Sequence, residues 1–403
     1  MRPHPRKSAW LILVAMLMST AGMAADGPAG TLIDSMDRVD FAMPAGKGSV
    51  EAAEGKVGKA IRFSFGDNCQ GVFAAGPRTA HPEWDQAAGF SFWVKGDGSA
   101  HLGGIEFIWN EDYASRYAVA FPIDGVEWRK IVVPWRDLIP ETSKMLLPIG
   151  LRRGNAPSKL GPVTFGKWWY WKDYAAHSYV IDEIRLEPTI ALDTKSYRPT
   201  GAPLERVLRK LKAGKPITIV TMGDSLTDYD HWTNRQTNWP RMLQAKLHAK
   251  FGSEVRIVNP AMGGTELRQN LILMPRWLKQ APEPDLVTVF FGNNDWNAGM
   301  RGDGFNAAQQ DAVERIRRAT GGKADVLLMT TCPTLDQPDT LSEMAEACRK
   351  AAQAQKAGSA DVYAAFRAGL QAERERLYAD DKVHLSPTGQ TLVADTVLRA
   401  LTP

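Results

Sequence analysis

The sequence predicts a protein of two parts, an all-β sandwich followed by an α/β three-layer domain with a parallel sheet. Between residues 31 and 186, short alternating apolar runs are separated by Gly, Pro, Asp and Asn, a pattern typical of an antiparallel sandwich. After residue 204, short apolar runs alternate with segments of helical length, which indicates a parallel sheet covered on both faces. A chain of 403 residues is also too long for one ordinary core.

The first residues have the pattern of a secretory signal peptide. Three cationic residues precede an apolar run at 9–18, and small residues follow it. This run is shorter than the roughly 20 residues that span a bilayer. We therefore expect residues 1–24 to be a signal peptide, with cleavage after Ala24 or Ala25 and a periplasmic or secreted mature protein.

Charge and composition exclude several partners and cofactors. Loss of the signal peptide lowers the formal net charge from +4 to +1, because three cationic residues and no acidic ones are removed. A near-neutral protein has no electrostatic reason to bind nucleic acid or an anionic membrane. The cysteine spacing matches no zinc-binding pattern for Cys69, Cys332 and Cys348. The sequence leaves undetermined whether Cys332 and Cys348 form a disulfide. No cofactor and no required metal are predicted, and the oligomeric state is left undetermined.

Residues 25–188 are predicted to form the sandwich. Strands are expected at 61–65, 90–94, 105–109, 117–121, 128–133 and 179–186. The segments at 89–98, 128–135 and 180–186 resemble the galactose-binding-like jelly rolls attached to carbohydrate-active enzymes. The resemblance implies a carbohydrate-binding-like domain.

An aromatic run, Lys-Trp-Trp-Tyr-Trp-Lys, occupies residues 167–172. Exposed aromatic faces could stack on sugar rings, because the CH faces of sugars are apolar. Alternatively, some rings fill the sandwich core and the rest pack against the second domain, since large aromatic side chains are more often buried than displayed. The sequence leaves both interpretations open.

Residues 189–203 contain two prolines and are predicted to be a linker to a second domain at 204–403. Helices are expected there at 204–212, 239–251, 265–274, 305–320, 340–357 and 387–401, with Pro275 ending or kinking the third. Strands are expected from 217 and at 254–259, 286–291 and 324–331.

Four loops of the second domain carry the candidate chemistry. The first strand ends in Gly-Asp-Ser-Leu at 223–226, which leaves a hydroxyl at the strand's carboxyl end, where ligands bind in open α/β sheets. Three more loops are predicted on the same edge, Pro-Ala-Met-Gly-Gly-Thr at 260–265, Gly-Asn-Asn-Asp-Trp at 292–296 and Asp-Lys-Val-His at 381–384. Ser386 is a good helix N-cap that would hold the last loop rigid.

These four loops, in this order, resemble the sequence blocks of the SGNH hydrolases, also called GDSL esterases. The resemblance implies a flavodoxin-like domain in which Ser225 is the nucleophile, His384 the general base and Asp381 the group that orients the base. A serine hydroxyl needs such a base, and the base needs a partner that fixes its tautomer.

The resemblance also implies an oxyanion hole, formed by the Ser225 backbone N–H, Gly264 and Asn294. The second block departs from the usual pattern, because Ala261 stands where the family often has its first Gly. A shift of one residue would therefore select Gly263 as the donor in place of Gly264.

Five further residues are candidates for substrate binding: Asp224, His231, Trp232, Asn293 and Trp296. A jelly roll joined to this hydrolase resembles two-domain carbohydrate acetylesterases, so the leading hypothesis is removal of O-acetyl groups from a polysaccharide or oligosaccharide. The alternatives are a periplasmic polysaccharide O-acetyltransferase, a lysophospholipase or thioesterase, and a glycan-binding protein with a decayed hydrolase domain.

Overall fold

The computed structural model describes residues 30–76, 81–142 and 156–402. The predicted signal peptide falls on residues outside these ranges. A search of the described helices for one long and apolar enough to cross a membrane finds none.

The amino-terminal half consists of two antiparallel sheets. Its strands are β1 (Leu32–Asp34), β2 (Gly48–Glu54), β3 (Lys59–Phe65), β4 (Val72–Gly76), β5 (Gly89–Gly96), β6 (Leu102–Trp109), β7 (Asp112–Pro122), β8 (Arg129–Pro134), β9 (Ile139–Pro140), β10 (Leu160–Lys167) and β11 (His177–Glu187). One sheet has the order β2-β3-β11-β5-β8 with β1 beside β11, and the other has the order β4-β10-β6-β7-β9.

The two sheets pack face to face, which confirms the predicted sandwich. Phe63 on β3 stacks on Phe165 of β10 in the opposite sheet, with ring centroids 4.7 Å apart. All six predicted strands lie within or overlap observed ones. β2 was not predicted because it is mostly exposed, so its sequence lacks the apolar alternation of a half-buried strand.

The carboxyl-terminal half contains a parallel sheet with helices around it, as predicted. Its strands are β12 (Ile217–Gly223), β13 (Val255–Val258), β14 (Leu286–Phe290), β15 (Asp325–Met329) and β16 (Gly358–Ala360), in the order β13-β12-β14-β15-β16. The helices are α1 (Glu205–Lys212), α2 (Trp239–Phe251), α3 (Leu267–Ile272), α4 (Met274–Gln280), α5 (Asn293–Asn297), α6 (Gly302–Ala319), α7 (Ser342–Gln355), α8 (Val362–Arg367), α9 (Gln371–Glu375) and α10 (Pro387–Ala400). This strand order is that of flavodoxin-like sheets, whose ligands bind beside the first strand.

Pro275 has a different effect from the one predicted. It does not simply end a helix at 265–274, because it occupies the first turn of α4, which follows α3 after one residue. Proline is tolerated there because the first N–H groups of a helix have no intrahelical acceptor. The short helices α5, α8 and α9 were not predicted, since one or two turns give too little periodicity to detect.

The aromatic run joins the two halves. It forms a 3-10 turn at Trp169–Trp171, directly after β10, and not a strand. Trp168, Tyr170 and Trp171 are buried in a core that they share with side chains of α3 and α4, whereas Trp169 is exposed. Arg276 of α4 donates from a terminal nitrogen to the Trp171 carbonyl at 2.6 Å. Three of the four rings therefore belong to the interface between the halves.

The cysteines Cys69, Cys332 and Cys348 are free and buried, so Cys332 and Cys348 are not bridged. Burial raises the pKa of the Cys348 thiol to about 12. Both thiols are therefore protonated and shielded, and neither is suited to nucleophilic chemistry.

Packing at the junction predicts the effect of one glycine substitution. A Cβ at Gly104 of β6 would lie 2.3 Å from Trp168 and 2.8 Å from Trp171. We expect Gly104→Ala to destabilise the protein by about 1–3 kcal/mol, because the surrounding rings must shift. Gly125→Ala is the matched control, since no atom of the part of the chain that the structure describes lies within 4 Å of the added methyl group. Urea denaturation measures both, and equal midpoints would contradict this packing.

Candidate active site

A tight turn after β12 brings Ser225 to the carboxyl edge of the sheet. The buried Asp224 accepts the Leu226 N–H on Oδ1 at 3.0 Å, and its carbonyl accepts the Thr227 N–H at 3.0 Å. A Cβ on Gly223 would lie only 2.4 Å from Thr227 Oγ1, so the turn requires glycine at this position. These contacts fix the turn, and Ser225 is left half-buried at the surface.

Ser225, His384 and Asp381 form one hydrogen-bonded line. His384 Nε2 lies 2.9 Å from Ser225 Oγ, and His384 Nδ1 lies 2.6 Å from Asp381 Oδ2. When Nδ1–H donates to the carboxylate, Nε2 is left as the acceptor for the serine hydroxyl. This is the geometry that activates a serine nucleophile.

The loop that carries His384 is held by the start of α10. Ser386 is the N-cap and accepts the Gly389 N–H on Oγ at 3.2 Å, and Pro387 is the first helical residue. The His384 carbonyl accepts the Ala379 N–H at 2.8 Å. The predicted cap is confirmed, and the imidazole is attached to a rigid backbone.

Asp381 is held in its ionised form. Burial alone would raise its pKa, but hydrogen bonds from the His384 imidazole and from the N–H groups of His384 and Val383 outweigh this effect, and the pKa lies below its usual value. The carboxylate therefore stays charged at neutral pH and can stabilise the imidazolium that forms when His384 takes up a proton.

The loop after β13 presents a backbone donor beside Ser225. The Gly263 N–H donates to Asp228 Oδ2 at 2.7 Å and is therefore occupied. Gly264 is exposed in the left-handed region at φ +80°, and no acceptor within the described ranges contacts its N–H. Of the two glycines that the sequence left open, Gly264 is the one with an available N–H.

Asn294 lies at the start of α5, after β14. Its Nδ2 donates to the Thr265 carbonyl at 3.0 Å, which fixes the amide next to the loop of Gly264. A second Nδ2 hydrogen remains for another acceptor. The preceding Gly292 has a φ of +140°, and a Cβ there would lie 2.6 Å from Thr331, so the turn into α5 also requires glycine.

Two of the five further candidates lie against the base. The ring of His231 stacks on that of His384, with centroids 4.1 Å apart and planes at 28°. Burial, and then the neighbouring His384, lower the pKa of His231 to about 4, so this ring is neutral at neutral pH. Trp232 stands edge-on to His384 at 6.3 Å and is 58% exposed.

The other three candidates have different surroundings. Asp224 is buried beneath the turn, where it accepts a backbone N–H. Trp296 is half-buried against the core, with the Arg301 guanidinium 4.9 Å from its ring centroid. Both positions favour structural roles. Asn293 is half-buried at the start of α5, and a substrate contact for it stays a prediction.

A pair of buried amides that the sequence did not reveal supports the site. Asn234 donates from Nδ2 to the carbonyls of Ser225 at 2.6 Å and Asp228 at 2.8 Å. Gln390 of α10 donates to Asn234 Oδ1 at 2.8 Å and accepts the Trp239 N–H at 2.8 Å. Two single amides that lie so far apart in the sequence form no local motif, so the sequence could not identify them.

Two buried carboxyl groups, Asp224 and Asp295, lie close enough to interact beneath the catalytic loops. The pKa of each is raised to about 7, mainly by burial, and the charge of Asp224 contributes to the rise at Asp295. Asp295 Oδ1 accepts the Leu267 N–H at 3.1 Å, whereas Oδ2 is buried with no hydrogen-bond partner among the described residues. Both groups are poorly stabilised as anions.

One cluster in the sandwich has the residue types of a metal site. Ligand atoms of His101, Asp173 and His177 lie within 4.8 Å of one another. However, Asp173 also contacts the His101 ring at 2.8 Å and lies 3.9 Å from the Arg276 guanidinium, and the charge of Lys167 acts on it. The two cationic neighbours Arg276 and Lys167 offset the charge of the carboxylate, which favours a charge cluster at the interface over a cation site.

The raised pKa of Asp295 predicts a pH-dependent stability. An acid with a folded-state pKa of about 7 and an unfolded value of 3.8 contributes most stability below pH 3.8 and loses it as the pH rises through 7. We expect Asp295→Asn to flatten the fall in Tm between pH 5 and pH 8. Calorimetric scans across this range test it, and parallel Tm profiles for both proteins would show that Asp295 does not titrate there.

Comparison with known proteins identifies the domain that carries these loops. No curated protein matches the chain. Among solved structures, the acetylxylan esterase Axe2 from Geobacillus stearothermophilus is 22% identical, covers 48% of this chain and 97% of its own, and has a TM-score of 0.39. The α/β hydrolase LAE5 from the metagenome of Lake Arreo, Spain, is 21% identical (46% and 94% covered, TM-score 0.39), and the esterase EstA from Pseudoalteromonas sp. is 20% identical (46% and 96% covered, TM-score 0.37).

The family model that matches the chain is that of the GDSL-like lipase/acylhydrolase family, over residues 221–392. This range begins in β12 and ends in α10, so it includes all four loops. Residues 221–392 are therefore a GDSL-like lipase/acylhydrolase domain of the SGNH type, and the protein is a carboxylic ester hydrolase.

Proposed function

We propose that this hydrolase is an extracytoplasmic serine esterase that removes O-acetyl groups from a polysaccharide or oligosaccharide. The observation that carries the proposal is the hydrogen-bonded line from Ser225 through His384 to Asp381, which opens to solvent beside an exposed tryptophan. Its action outside the cytoplasm rests on the signal-peptide pattern at residues 1–24.

In the first half of the proposed reaction, His384 Nε2 takes the proton of Ser225 Oγ while the oxygen attacks the acetyl carbon. The carbonyl π electrons move to oxygen and form a tetrahedral oxyanion. When this intermediate collapses, the bond to the sugar oxygen breaks and His384 returns the proton to that oxygen. The sugar leaves with a free hydroxyl, and the acetyl group stays on Ser225.

In the second half, His384 takes a proton from a water molecule, whose oxygen attacks the acetyl-serine carbon. Collapse of the second tetrahedral intermediate breaks the bond to Ser225 Oγ, which receives the proton from His384. Acetate is released and the serine is regenerated.

The oxyanion of both intermediates requires donors that are already in place. The Gly264 N–H, the second Nδ2 hydrogen of Asn294 and the Ser225 N–H are the candidates. The first two sit on neighbouring loops that are fixed by hydrogen bonds to Asp228 and Thr265. Donors held in advance need not reorganise as charge develops, which makes them effective in catalysis.

A sugar leaving group suits the surroundings of the base. The leaving oxygen must come close to His384 Nε2, because that nitrogen protonates it. Trp232 stands edge-on to His384 and exposes more than half of its surface. An exposed indole offers an apolar face to the CH groups of a pyranose, while the hydroxyl groups of the sugar stay in water.

Replacement of the nucleophile tests the reaction. We expect the protein to hydrolyse 4-nitrophenyl acetate, and Ser225→Ala to reduce turnover to a small background while its circular dichroism spectrum and Tm stay unchanged. Loss of this one group removes the covalent step and leaves a background set by binding and the oxyanion donors. Unchanged turnover in the variant would refute the assignment of Ser225.

The substrate class is tested with acetylated xylan, glucomannan, pectin, alginate and peptidoglycan. Release of acetate from at least one of them, together with faster cleavage of acetate than octanoate aryl esters, is expected. Preference for octanoate would instead support a lipid esterase. Transfer of labelled acetyl groups to a glycan, without net acetate release, would support an acetyltransferase.

The oxyanion assignment has a matched pair of variants on one helix. Asn294→Ala is expected to lower kcat by about 10²–10³-fold with little change in KM, because the donor acts on charge that develops only in the transition state. Asn297→Ala, at an exposed residue of the same helix, should leave kcat largely unchanged. Steady-state kinetics on 4-nitrophenyl acetate measures both, and equal kcat values for the two variants would contradict the role of Asn294.

A further inference from the structure

One ring of the aromatic run has only half of its surface buried. Trp168, Tyr170 and Trp171 are at most 8% exposed, whereas Trp169 between them is 50% exposed. Among the tryptophans of the described residues, only Trp169 and Trp232 are exposed, and the others are buried or half-buried. A large apolar ring displayed on the surface is informative when its surroundings are functional.

Trp169 lies against the predicted oxyanion hole. A Cβ added to Gly264 would be 3.8 Å from Trp169 Cζ3 and 3.9 Å from Cη2, so the six-membered ring of the indole lies beside the Cα of this glycine. Trp232 borders His384. The two exposed tryptophans therefore border different parts of the reaction centre. Trp169 lies next to a predicted oxyanion donor, and Trp232 lies next to the base.

The backbone of Trp169 is rigidly held. The chain passes so close to Gly71 that a Cβ there would lie 2.8 Å from Trp169 N. The turn ends at Lys172 in the left-handed region, at φ +45°. Lys172 Nζ then lies 3.3 Å from Asp228 Oδ2, the same carboxylate oxygen that accepts the Gly263 N–H. Little backbone entropy is therefore lost when a ligand binds at this turn.

We infer that Trp169, supplied by the sandwich, is a sugar-stacking residue of the active site, and that it favours acetylated oligosaccharides over single acetylated sugars. This inference rests on the proposed function. The acetylated sugar lies at Trp232, because its oxygen must reach His384. A sugar ring that contacts Trp169, on the oxyanion side, then belongs to a neighbouring sugar of the same glycan. The substrate class is thus an oligomer of pyranoses.

The test compares substrates that can and cannot reach Trp169. These are 4-nitrophenyl acetate, an acetylated monosaccharide, and acetylated oligosaccharides of the polymer from which the wild type releases acetate fastest. Trp169→Ala is expected to raise KM for the oligosaccharides about tenfold, which is the effect of losing one stacking contact. The kcat/KM values for the two small substrates should stay unchanged, and Trp169→Phe should give an intermediate KM.

Tyr113→Ala is the matched control, because Tyr113 is a ring of the same sandwich with 56% exposure. It should alter none of these constants. Calorimetric titration adds a readout without turnover, in which the oligosaccharides should bind about tenfold more weakly to Ser225→Ala/Trp169→Ala than to Ser225→Ala. Equal Tm values for the variants would show that the fold is intact.

Three results would overturn the inference. Equal losses on oligosaccharide and monosaccharide would mean that Trp169 does not contact a second sugar. Faster cleavage of butyrate or hexanoate esters by Trp169→Ala, with KM for oligosaccharides unchanged, would make Trp169 a wall of the acyl site. Absence of acetate release from every glycan by the wild type would refute the proposed function itself, and the inference with it.

Discussion

The relative position of nucleophile and base depends on the buried amide pair Asn234 and Gln390. Gln390 lies on α10, which begins three residues after His384, and its Nε2 donates to Asn234 at 2.8 Å. Asn234 in turn donates to the Ser225 carbonyl at 2.6 Å. Both side chains are fully buried, so a missing hydrogen bond here would cost about 1–3 kcal/mol. The same pair therefore fixes the turn of Ser225 and the loop of His384, although 159 residues separate them.

A second constraint acts across the two halves. Asp228 accepts the Gly263 N–H from within the hydrolase domain and the Lys172 ammonium from the sandwich, both on Oδ2. Arg276 donates to the Trp171 carbonyl at a neighbouring point of the interface. The glycine loop is thus held from both sides, and this occupation of Gly263 leaves Gly264 as the available donor. The sandwich is part of the structure that shapes the site.

Sequence predicted the features that local patterns encode. Alternation identified six strands, and α2 spans the residues 239–251 where periodicity placed it. Three of the four loops follow β12, β13 and β14, as expected of a parallel sheet, whereas the loop at 381–384 directly precedes α10. The sequence could not choose between Gly263 and Gly264, because that choice depends on Asp228. It likewise could not single out Trp169, because burial of its three neighbours is decided by packing between the halves and not by any local period.

The site combines a rigidly held underside with a face that is open to solvent. Asp224 and Asp295 are buried under it, where their raised pKa values mark a cost in stability at neutral pH, while Gly264 and Trp232 face solvent. Because the reaction centre is open, discrimination between substrates must come from rings that stand at its edges. Stacking on such rings uses the faces of the sugars, which are present along the whole glycan, so it does not require the end of a glycan chain. Under the proposed function, this geometry suits an enzyme that acts along the side of a glycan chain.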